Sequence, residues 1–358
     1  LPSAIIGSLI QEKAYFKDSW NYSFIIFGAL ILLSTFLQNF VLVNNYNQIW
    51  EPISSIIGMG NWIPFIWLFW AFQPYLSSKS SRKSFGLILI AGSFPVLITG
   101  YGQYFFNWNG PFETLNGLIV WYQRPIEIPG GLSGLFNNQN YAGTWLNFIW
   151  PICIALFMEK SNSYLKKIFT FGLLFSIGFA AFLTFSRNAW LGLLTSLSIV
   201  SGKKRIIFTI IIICIISVFL FSPNFKGEIQ NNFKDLLPQK ITQEFYGEGY
   251  IGLDTTRSEI FTSAISIIKS SPIFGTGANS FTEIFRFQTG FWKGHSHNLI
   301  LELAISYGLP AAIVFFTVLG NIVFQSGRII FSRKVIENYS IFDKALWATL
   351  FFFLISQL

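Results

Sequence analysis

The sequence predicts an all-α fold: a polytopic bundle of about nine transmembrane helices, with a long outer loop that contains an amphipathic helix. Three observations predict it. The chain is 52% hydrophobic and only 11% charged, with a positive mean hydropathy, which is far from the composition of soluble domains. Long intervals contain no Asp, Glu, Lys or Arg. The basic residues concentrate in every second connection between these intervals.

The charge-free intervals are long enough for membrane spans, since a helix needs about 20 largely apolar residues to cross a bilayer. Eight of them lie at residues 19–50, 52–78, 84–112, 128–158, 168–186, 188–202, 206–225 and 303–327. A ninth span, Ala345–Leu358, stops within an apolar run, and the chain opens at Leu1 rather than Met, which leaves room for further spans in a longer natural protein. The first 18 residues lack the apolar core of a cleavable signal peptide, so we expect the spans to direct insertion.

The basic residues predict the orientation of the chain. They cluster near residues 13–17, 79–83, 160–167, 203–205 and 328–344, whereas connections 44–51 and 107–140 contain between them only Arg124. The positive-inside rule places the first set in the cytoplasm and the second set outside. The sequence pI of about 9.4 therefore reflects topology. We expect membrane lipids and no nucleic acid among the partners, because these clusters are short loops between helices.

The chain divides by sequence into three regions: 1–221 with transmembrane helices 1–7, 222–296 as the outer loop, and 297–358 with helices 8–9. Loops as long as the second region are usually functional. Thr256–Glu259 has the pattern of a capping box, which predicts that a helix begins there. One face of that helix is expected to carry Arg257, Ile260, Phe261, Ala264 and Ile268. The spacing leaves open whether Arg257 is functional or reaches past the apolar face to water or lipid phosphate.

A second arginine lies at the tip of a predicted hairpin. Only 35 residues separate Lys167 from Lys203, with Arg187 near their middle. Two crossings need about 40 residues and a turn, so we expect Arg187 to lie buried below the outer surface. An arginine at that depth binds an anion or a carboxylate. A purely structural ion pair is the alternative, with three candidate partners: Glu113, Glu127 and Glu302.

Three further segments lie on the predicted outer side: an Asn-rich turn at Gly134–Trp145, a Gly-rich turn at Phe274–Phe281, and the stretch around the chain's two histidines, His295 and His297. The Gly-rich turn is a weak phosphate-loop signal and reads better as a plain loop. Two histidines with Glu302 or Asp254 would make three metal ligands, but no well-defined ligand set is present, so we expect no metal. A structural alternative for His297 is a hydrogen-bonding residue at a helix start.

Three segments, in this order, resemble the O-antigen ligase and polymerase superfamily of bacterial membrane glycosyltransferases: TFSRNAW (Thr184–Trp190), RSEIFTSAISIIKSSPIFGTGANSF (Arg257–Phe281) and HSHNLILELAISYGLPAA (His295–Ala312). The resemblance extends from about Gly134 to Pro310, roughly half of the chain. Within the superfamily the sequence is most similar to a cyanobacterial branch, one member of which has been labelled an inorganic-carbon transporter.

The resemblance implies a metal-independent enzyme without a cofactor. Such an enzyme moves a glycan from a polyprenyl (undecaprenyl) diphosphate carrier to a hydroxyl of a lipid, polysaccharide or protein acceptor, at the periplasmic face of a bacterial inner membrane. The resemblance assigns catalytic roles to Arg187, Arg257 and His297. Guanidinium groups bind phosphate oxygens as a fork, and an imidazole can accept the hydroxyl proton or orient the hydroxyl. We expect further substrate contacts from His295, Asn298, Asn137 and Asn140.

A transporter of a small anion such as bicarbonate is the rival interpretation, since paired arginines would serve it too. Transporters tend to place ionisable residues near the bilayer midplane and to be built from repeated halves. The polar residues here are predicted at the outer rim, and the sequence has no detectable internal repeat. The sequence therefore favours the enzyme.

Overall fold

The computed structural model of the protein describes residues 1–12, 15–17, 19–41, 49–126, 130–159, 163–202, 257–332 and 340–356. In chain order, the helices are α1 (Pro2–Leu9), α2 (Ser19–Phe40), α3 (Ser54–Met59), α4 (Ile63–Ala71), α5 (Lys79–Phe106), α6 (Gln139–Met158), α7 (Tyr164–Leu183), α8 (Arg187–Ser201), α9 (Arg257–Ser270), α10 (Ser280–Thr289), α11 (Leu299–Tyr307), α12 (Leu309–Ile330) and α13 (Ile341–Ser356). Strands β1 (Gly110–Thr114) and β2 (Ile119–Gln123) lie between α5 and α6.

Helices dominate these residues, as the composition predicts. Within the described ranges, five helices are long and apolar enough to cross a membrane, namely α2, α5, α6, α7 and α12. The prediction of a mostly helical chain with several membrane-spanning helices is confirmed to this extent. The predicted span at 206–225 lies outside the described residues, so the count of nine stays a prediction.

The apolar interval 52–78 does not form one helix. It contains α3, α4 and a short 3-10 helix at Gln73–Leu76. Pro64 lies in the first turn of α4 and Pro74 in the first turn of the 3-10 helix. Proline suits a first turn but has no amide proton to continue a preceding helix. Counting charges does not detect these breaks, because proline and glycine are uncharged.

The sequence predicted helices alone. The connection between α5 and α6 differs, because β1 and β2 pair there as an antiparallel hairpin. Phe112 and Trp121 are opposite each other in the register, and their rings stack with centroids 5.3 Å apart. Three consecutive turn residues have positive φ angles: Leu115, Asn116 and Gly117. Asn and Gly favour this conformation, which is typical of tight hairpin turns.

The described residues fall into two compact units. The first contains residues 1–78 and 257–326. Its apolar core joins α2 to α9, α10 and α11 through buried residues such as Phe27, Ile267, Phe281 and Ile305. Two polar side chains of α2 add hydrogen bonds, because Ser34 Oγ and Gln38 Nε2 both donate to the carbonyl of Phe274. The Gly-rich turn after α9 is therefore held by α2.

Of the four apolar residues predicted on one face of α9, three are buried, and the side chain of Arg257, the fifth residue of that face, lies outside the described part of the structure. Ile260, Ala264 and Ile268 are buried, and Ile267 joins them. Phe261, by contrast, is 56% exposed. At 100° per residue, Phe261 lies at the edge of the stripe that the buried residues define. The predicted cap, Thr256, lies outside the described residues.

The second unit contains α5, α6, α7, α8 and α13 together with the β-hairpin. Helix α6 lies at its centre, and Ile149, Ile152 and Ile154 are buried there. Ion pairs join the ends of helices on the side predicted to be cytoplasmic: Arg82 with Asp343, and Glu159 with both Lys83 and Lys166. The lysine hydrogen bonds, first that of Lys83, lower the pKa of the Glu159 carboxyl.

Candidate functional site

Arg187 is the first residue of α8, directly after the short turn that connects it to α7. The predicted hairpin with Arg187 at its tip is thus present. The Thr184 hydroxyl donates to Ala181 O at 2.7 Å and accepts from the Ser186 amide at 3.3 Å. Phe185 has φ +52° and is only 5% exposed. The Thr184 hydrogen bonds and the burial of Phe185 therefore both hold the turn.

The segment before α6 packs across this turn. The Leu132 amide donates to Leu183 O at 2.9 Å. A Cβ on Gly131 would lie 2.2 Å from Thr184 O, and a Cβ on Gly143 would lie 2.9 Å from Ala189 Cβ. Only glycine permits these close approaches. The structure thus brings the Asn-rich segment and the Arg187 turn together within the second unit.

Arg187 itself is exposed at the surface of its unit, and its depth below the outer membrane surface stays a prediction. The short α7–α8 connection places it at the first position of the helix. The structural ion pair stays an open alternative for Arg187; of the carboxylates suggested for it, Glu113 is exposed in β1 and Glu302 accepts hydrogen bonds from Ser296. Glu127 lies outside the described residues. An exposed guanidinium at the N-terminal end of a helix favours an anionic ligand.

Two of the three asparagines predicted to contact substrate lie near the start of α6 and differ in their hydrogen bonds. Asn137 Oδ1 accepts from the Arg124 amide at 2.8 Å, and Asn137 Nδ2 donates to Tyr122 O at 2.5 Å. Its carboxamide therefore fastens the end of β2 to the turn before α6, and a substrate contact of Asn137 stays a prediction. Asn140 is exposed in the first turn of α6, which Asn138 caps by accepting from the amides of Asn140 and Tyr141.

Arg257 and the histidine segment both belong to the first unit. Arg257 is the first residue of α9, and α9 packs against α10 and α11. One polar contact in this packing is Ser263 Oγ donating to Gln288 Oε1 at 2.6 Å. Helix α11 begins immediately after the histidine segment. The fold therefore places the starts of α9 and α11 in one packed group of helices.

Asn298 is the N-cap of α11. Its Oδ1 accepts from the amides of Ile300 at 2.9 Å and Leu301 at 3.1 Å, which satisfies two amides of the first helical turn. The structural role that the sequence left open for His297 thus falls to Asn298. The Oδ1 of Asn298 is thus used by the helix, and a substrate contact of this residue stays a prediction.

Ser296 and Glu302 brace the same turn. The Ser296 amide and hydroxyl lie 2.9 and 2.8 Å from Glu302 Oε2, and Ser296 is 3% exposed. A carboxylate that accepts two hydrogen bonds is well suited to hold a backbone turn. Sequence reasoning missed this pair. An asparagine before an apolar run, with an acid four residues on, was the available signal for a helix start.

The two histidine rings lie beside each other on the exposed side of the turn. Their centroids are 4.2 Å apart with planes tilted by 55°. His297 has φ +56°, and its amide donates to His295 Nδ1 at 3.1 Å. Among the described residues, no group of three or more His, Cys, Asp and Glu is arranged to hold a metal ion. Asp254, the other suggested ligand, lies outside those ranges.

The Gly-rich turn at Phe274–Phe281 is packed. The Thr276 amide donates to Ile305 O at 2.7 Å, and a Cβ on Gly277 would lie 2.0 Å from the Trp50 ring. Thr276 is 1% exposed. A phosphate-binding loop needs backbone amides that point at the ligand. Here the Thr276 amide instead donates to the carbonyl of Ile305 in α11. The plain-loop interpretation therefore fits the geometry.

Residues 171–316 match the family model described as O-antigen ligase. No curated protein matches the chain. The matched range is less than half of the chain; it includes Arg187, Arg257, His295 and His297 and excludes Asn137 and Asn140. The match supports a membrane glycosyltransferase-like function, with a lipid-linked glycan donor and an acceptor in general terms. It lends no support to the anion transporter or to a cyanobacterial branch.

Proposed function

We propose that this protein transfers a glycan from a polyprenyl diphosphate carrier to an acceptor hydroxyl at the outer face of a bacterial inner membrane, without a metal. One observation carries the proposal. Within the range that matches O-antigen ligases, Arg187 and Arg257 each begin a helix, and His297 precedes the N-cap of a third. Helix starts favour negative charge, and a diphosphate leaving group is rich in it.

The arginines are assigned to the donor. As the acceptor oxygen bonds to the anomeric carbon, the bond from that carbon to the phosphate oxygen breaks, and its electron pair leaves with the diphosphate. A guanidinium group stabilises this charge more than it stabilises the intact donor, because charge builds up on the bridging oxygen, and this role is proposed for each arginine at its own helix start. Arg187 is exposed and thus accessible to a lipid headgroup.

His297 is assigned to the acceptor. The attacking hydroxyl must lose its proton, and an imidazole can take a proton near neutral pH. His297 is exposed and is not the helix cap, which is Asn298. Attack opposite to the leaving diphosphate would invert the configuration of the anomeric carbon. Asn140, exposed in the first turn of α6, remains available for substrate binding.

The proposal is tested with the purified full chain in liposomes that contain a synthetic polyprenyl diphosphate-linked glycan and a hydroxyl acceptor. We expect glycan transfer that persists in the presence of a chelator, and no bicarbonate flux. The variant Arg187→Ala, prepared in the same way, is expected to abolish transfer. Bicarbonate flux without transfer by the wild-type chain would overturn the proposal in favour of transport.

The outer location of the site is tested by labelling. In a chain whose two cysteines are replaced by alanine, Leu118→Cys in the β1–β2 turn is expected to react with an impermeant thiol reagent from outside intact cells. Ser80→Cys, at the start of α5 in a predicted cytoplasmic connection, is the matched control and is expected to react only after lysis. Both positions are exposed in the structure. The reverse pattern would contradict the orientation.

A further inference from the structure

We infer that His295 is a positioning residue whose Nδ1 fixes the backbone of His297, and that its Nε2 is not the functional atom. The inference rests on the proposed function, in which His297 works on the acceptor hydroxyl. It is carried by the hydrogen bond from the His297 amide to His295 Nδ1, 3.1 Å long, and by the backbone conformation of His297.

His297 occupies the left-handed region with φ +56°. Side chains other than glycine rarely adopt this conformation, although His, Asn and Asp do so more often than most. Such a conformation persists only where the surrounding contacts impose it. The direction of the His297 ring depends on this backbone angle, so whatever holds the angle also aims the imidazole.

Three side chains hold the turn. Asn298 bonds the amides of α11 beyond the turn, and Glu302 bonds Ser296 before it. The hydrogen bond to His295 Nδ1 holds the amide of His297 itself. A hydrogen bond to the amide two residues on is the geometry of an Asx turn. His295 Nδ1 therefore accepts from the amide two residues on, as Oδ1 of asparagine does in an Asx turn.

The atom assignment follows from donor and acceptor chemistry. A backbone amide donates, so Nδ1 must accept with its lone pair, and the neutral ring carries its proton on Nε2. Counted along the side chain, Nδ1 of histidine and Oδ1 of asparagine are both two bonds from Cβ. Glutamine places its oxygen one bond further, near the position of Nε2. The variant His295→Asn therefore replaces the acceptor at the position of Nδ1, whereas His295→Gln places an acceptor near the position of Nε2. Comparing the two variants shows which ring nitrogen is needed.

The first experiment compares transfer rates for His295→Asn, His295→Gln and His295→Ala. We expect His295→Asn to retain turnover close to that of the wild type. His295→Gln and His295→Ala are expected to lose turnover on the order of 10- to 100-fold, with the KM for the donor lipid unchanged, because only the aim of His297 is disturbed. An active His295→Gln beside an inactive His295→Asn would overturn the inference and assign a substrate contact to Nε2. Equal rates in all three variants would also overturn it.

The second experiment does not depend on transfer. The chain contains two histidines, so ¹⁵N-histidine labelling, with an affinity tag free of histidine, yields two backbone amide signals and two imidazoles. We expect the His295 ring to carry its proton on Nε2 and to accept a hydrogen bond at Nδ1. This state of the His295 ring should persist in the variant His297→Asn. The His297 amide should stay protected from hydrogen exchange in His295→Asn and lose that protection in His295→Gln. A wild-type chain that transfers no glycan refutes the proposed function, whereas a His297 amide that stays equally protected in His295→Gln refutes the inference.

Discussion

The starts of α8 and α11 have the same local conformation. In each, a residue with positive φ, Phe185 at +52° or His297 at +56°, precedes an extended N-cap residue, Ser186 or Asn298. Each start also carries a residue proposed to act in transfer. The two turns nevertheless belong to different units and are held by different interactions.

The α11 turn is held by side-chain hydrogen bonds. Asn298 caps the helix, Glu302 holds Ser296, and His295 holds His297. The Ser186 N-cap of α8 makes no such side-chain cap bond. Instead, the Thr184 hydroxyl accepts from the Ser186 amide, and buried Phe185 and the close backbone of Gly131 pack that turn. The comparison shows that one backbone shape can depend mainly on side-chain hydrogen bonds in one place and on a hydrogen bond together with close packing in another, and the two should respond to different substitutions.

The largest effect is expected at His297. His297→Asn keeps a residue that tolerates positive φ but removes the imidazole. We expect transfer to fall on the order of 10²- to 10⁴-fold, the usual contribution of a general base, while donor-lipid binding stays unchanged. Transfer rate and donor affinity are measured on the same preparation. Full activity in this variant would remove His297 from the chemistry and leave it a turn residue.

Arg187→Lys tests the α8 start. Lysine retains the charge but loses the bidentate fork, so donor affinity and transfer are both expected to drop about tenfold or more. Arg124→Lys is the matched control, since Arg124 is also exposed in the second unit but lies outside the matched range. Donor affinity is measured with labelled lipid in detergent. Equal behaviour of the two variants would mean that the position of Arg187 carries no specific role.

Gly131→Ala tests the packing that holds the α8 turn. The added Cβ would meet the Thr184 carbonyl oxygen at 2.2 Å, and a backbone atom cannot swing away. We expect a loss of about 1–3 kcal/mol in the free energy of unfolding. Gly172→Ala is the control, because nothing lies within 4 Å of a Cβ there. Thermal unfolding in detergent is the measurement, and equal midpoints for the two variants would contradict the packing argument.

Ser296→Ala tests the polar brace of the α11 turn. It removes the hydroxyl that lies 2.8 Å from Glu302 Oε2 and leaves the amide bond in place. A hydrogen bond to a charged group contributes about 1.5 kcal/mol, so a loss of that size is expected. Ser23→Ala, which removes an exposed hydroxyl bond within α2, should be nearly neutral. If Ser296→Ala is as harmless as Ser23→Ala, the brace contributes nothing to the fold.

The smallest effect is expected far from both helix starts, at Glu159. Lys83 lowers the pKa of this carboxyl from 4.5, so the pair stabilises the fold above that value and the stabilisation is lost as the pH falls through the lowered pKa. For a partly exposed pair the contribution is below about 1 kcal/mol. Glu159→Gln should therefore flatten the stability profile as the pH falls below 4.5. Glu113→Gln, at an exposed position, is the control, and a profile unchanged by Glu159→Gln would contradict the assignment.

The sequence by itself was sufficient for the class of protein and the order of its motifs. Composition predicts membrane helices because apolar side chains are stable in the hydrocarbon core at any position along a spanning helix. The placement of Arg187 at a hairpin tip followed from the number of residues between Lys167 and Lys203, since a span has a minimum length. The apolar stripe of α9 followed from helical periodicity, with Phe261 misjudged at its edge.

Only the tertiary structure decided what the polar residues of the turns bind. Asn137 fastens β2 and Asn298 caps α11, contacts that no periodicity predicts. The same structure divides residues 52–78 into short helices and places Arg187 on the surface of its unit. The reason is physical. Periodicity and hydropathy report which face of a helix is apolar, whereas the partner of a side chain in a turn depends on backbone angles and on neighbours distant in sequence, as the contact between Gly131 and Thr184 illustrates.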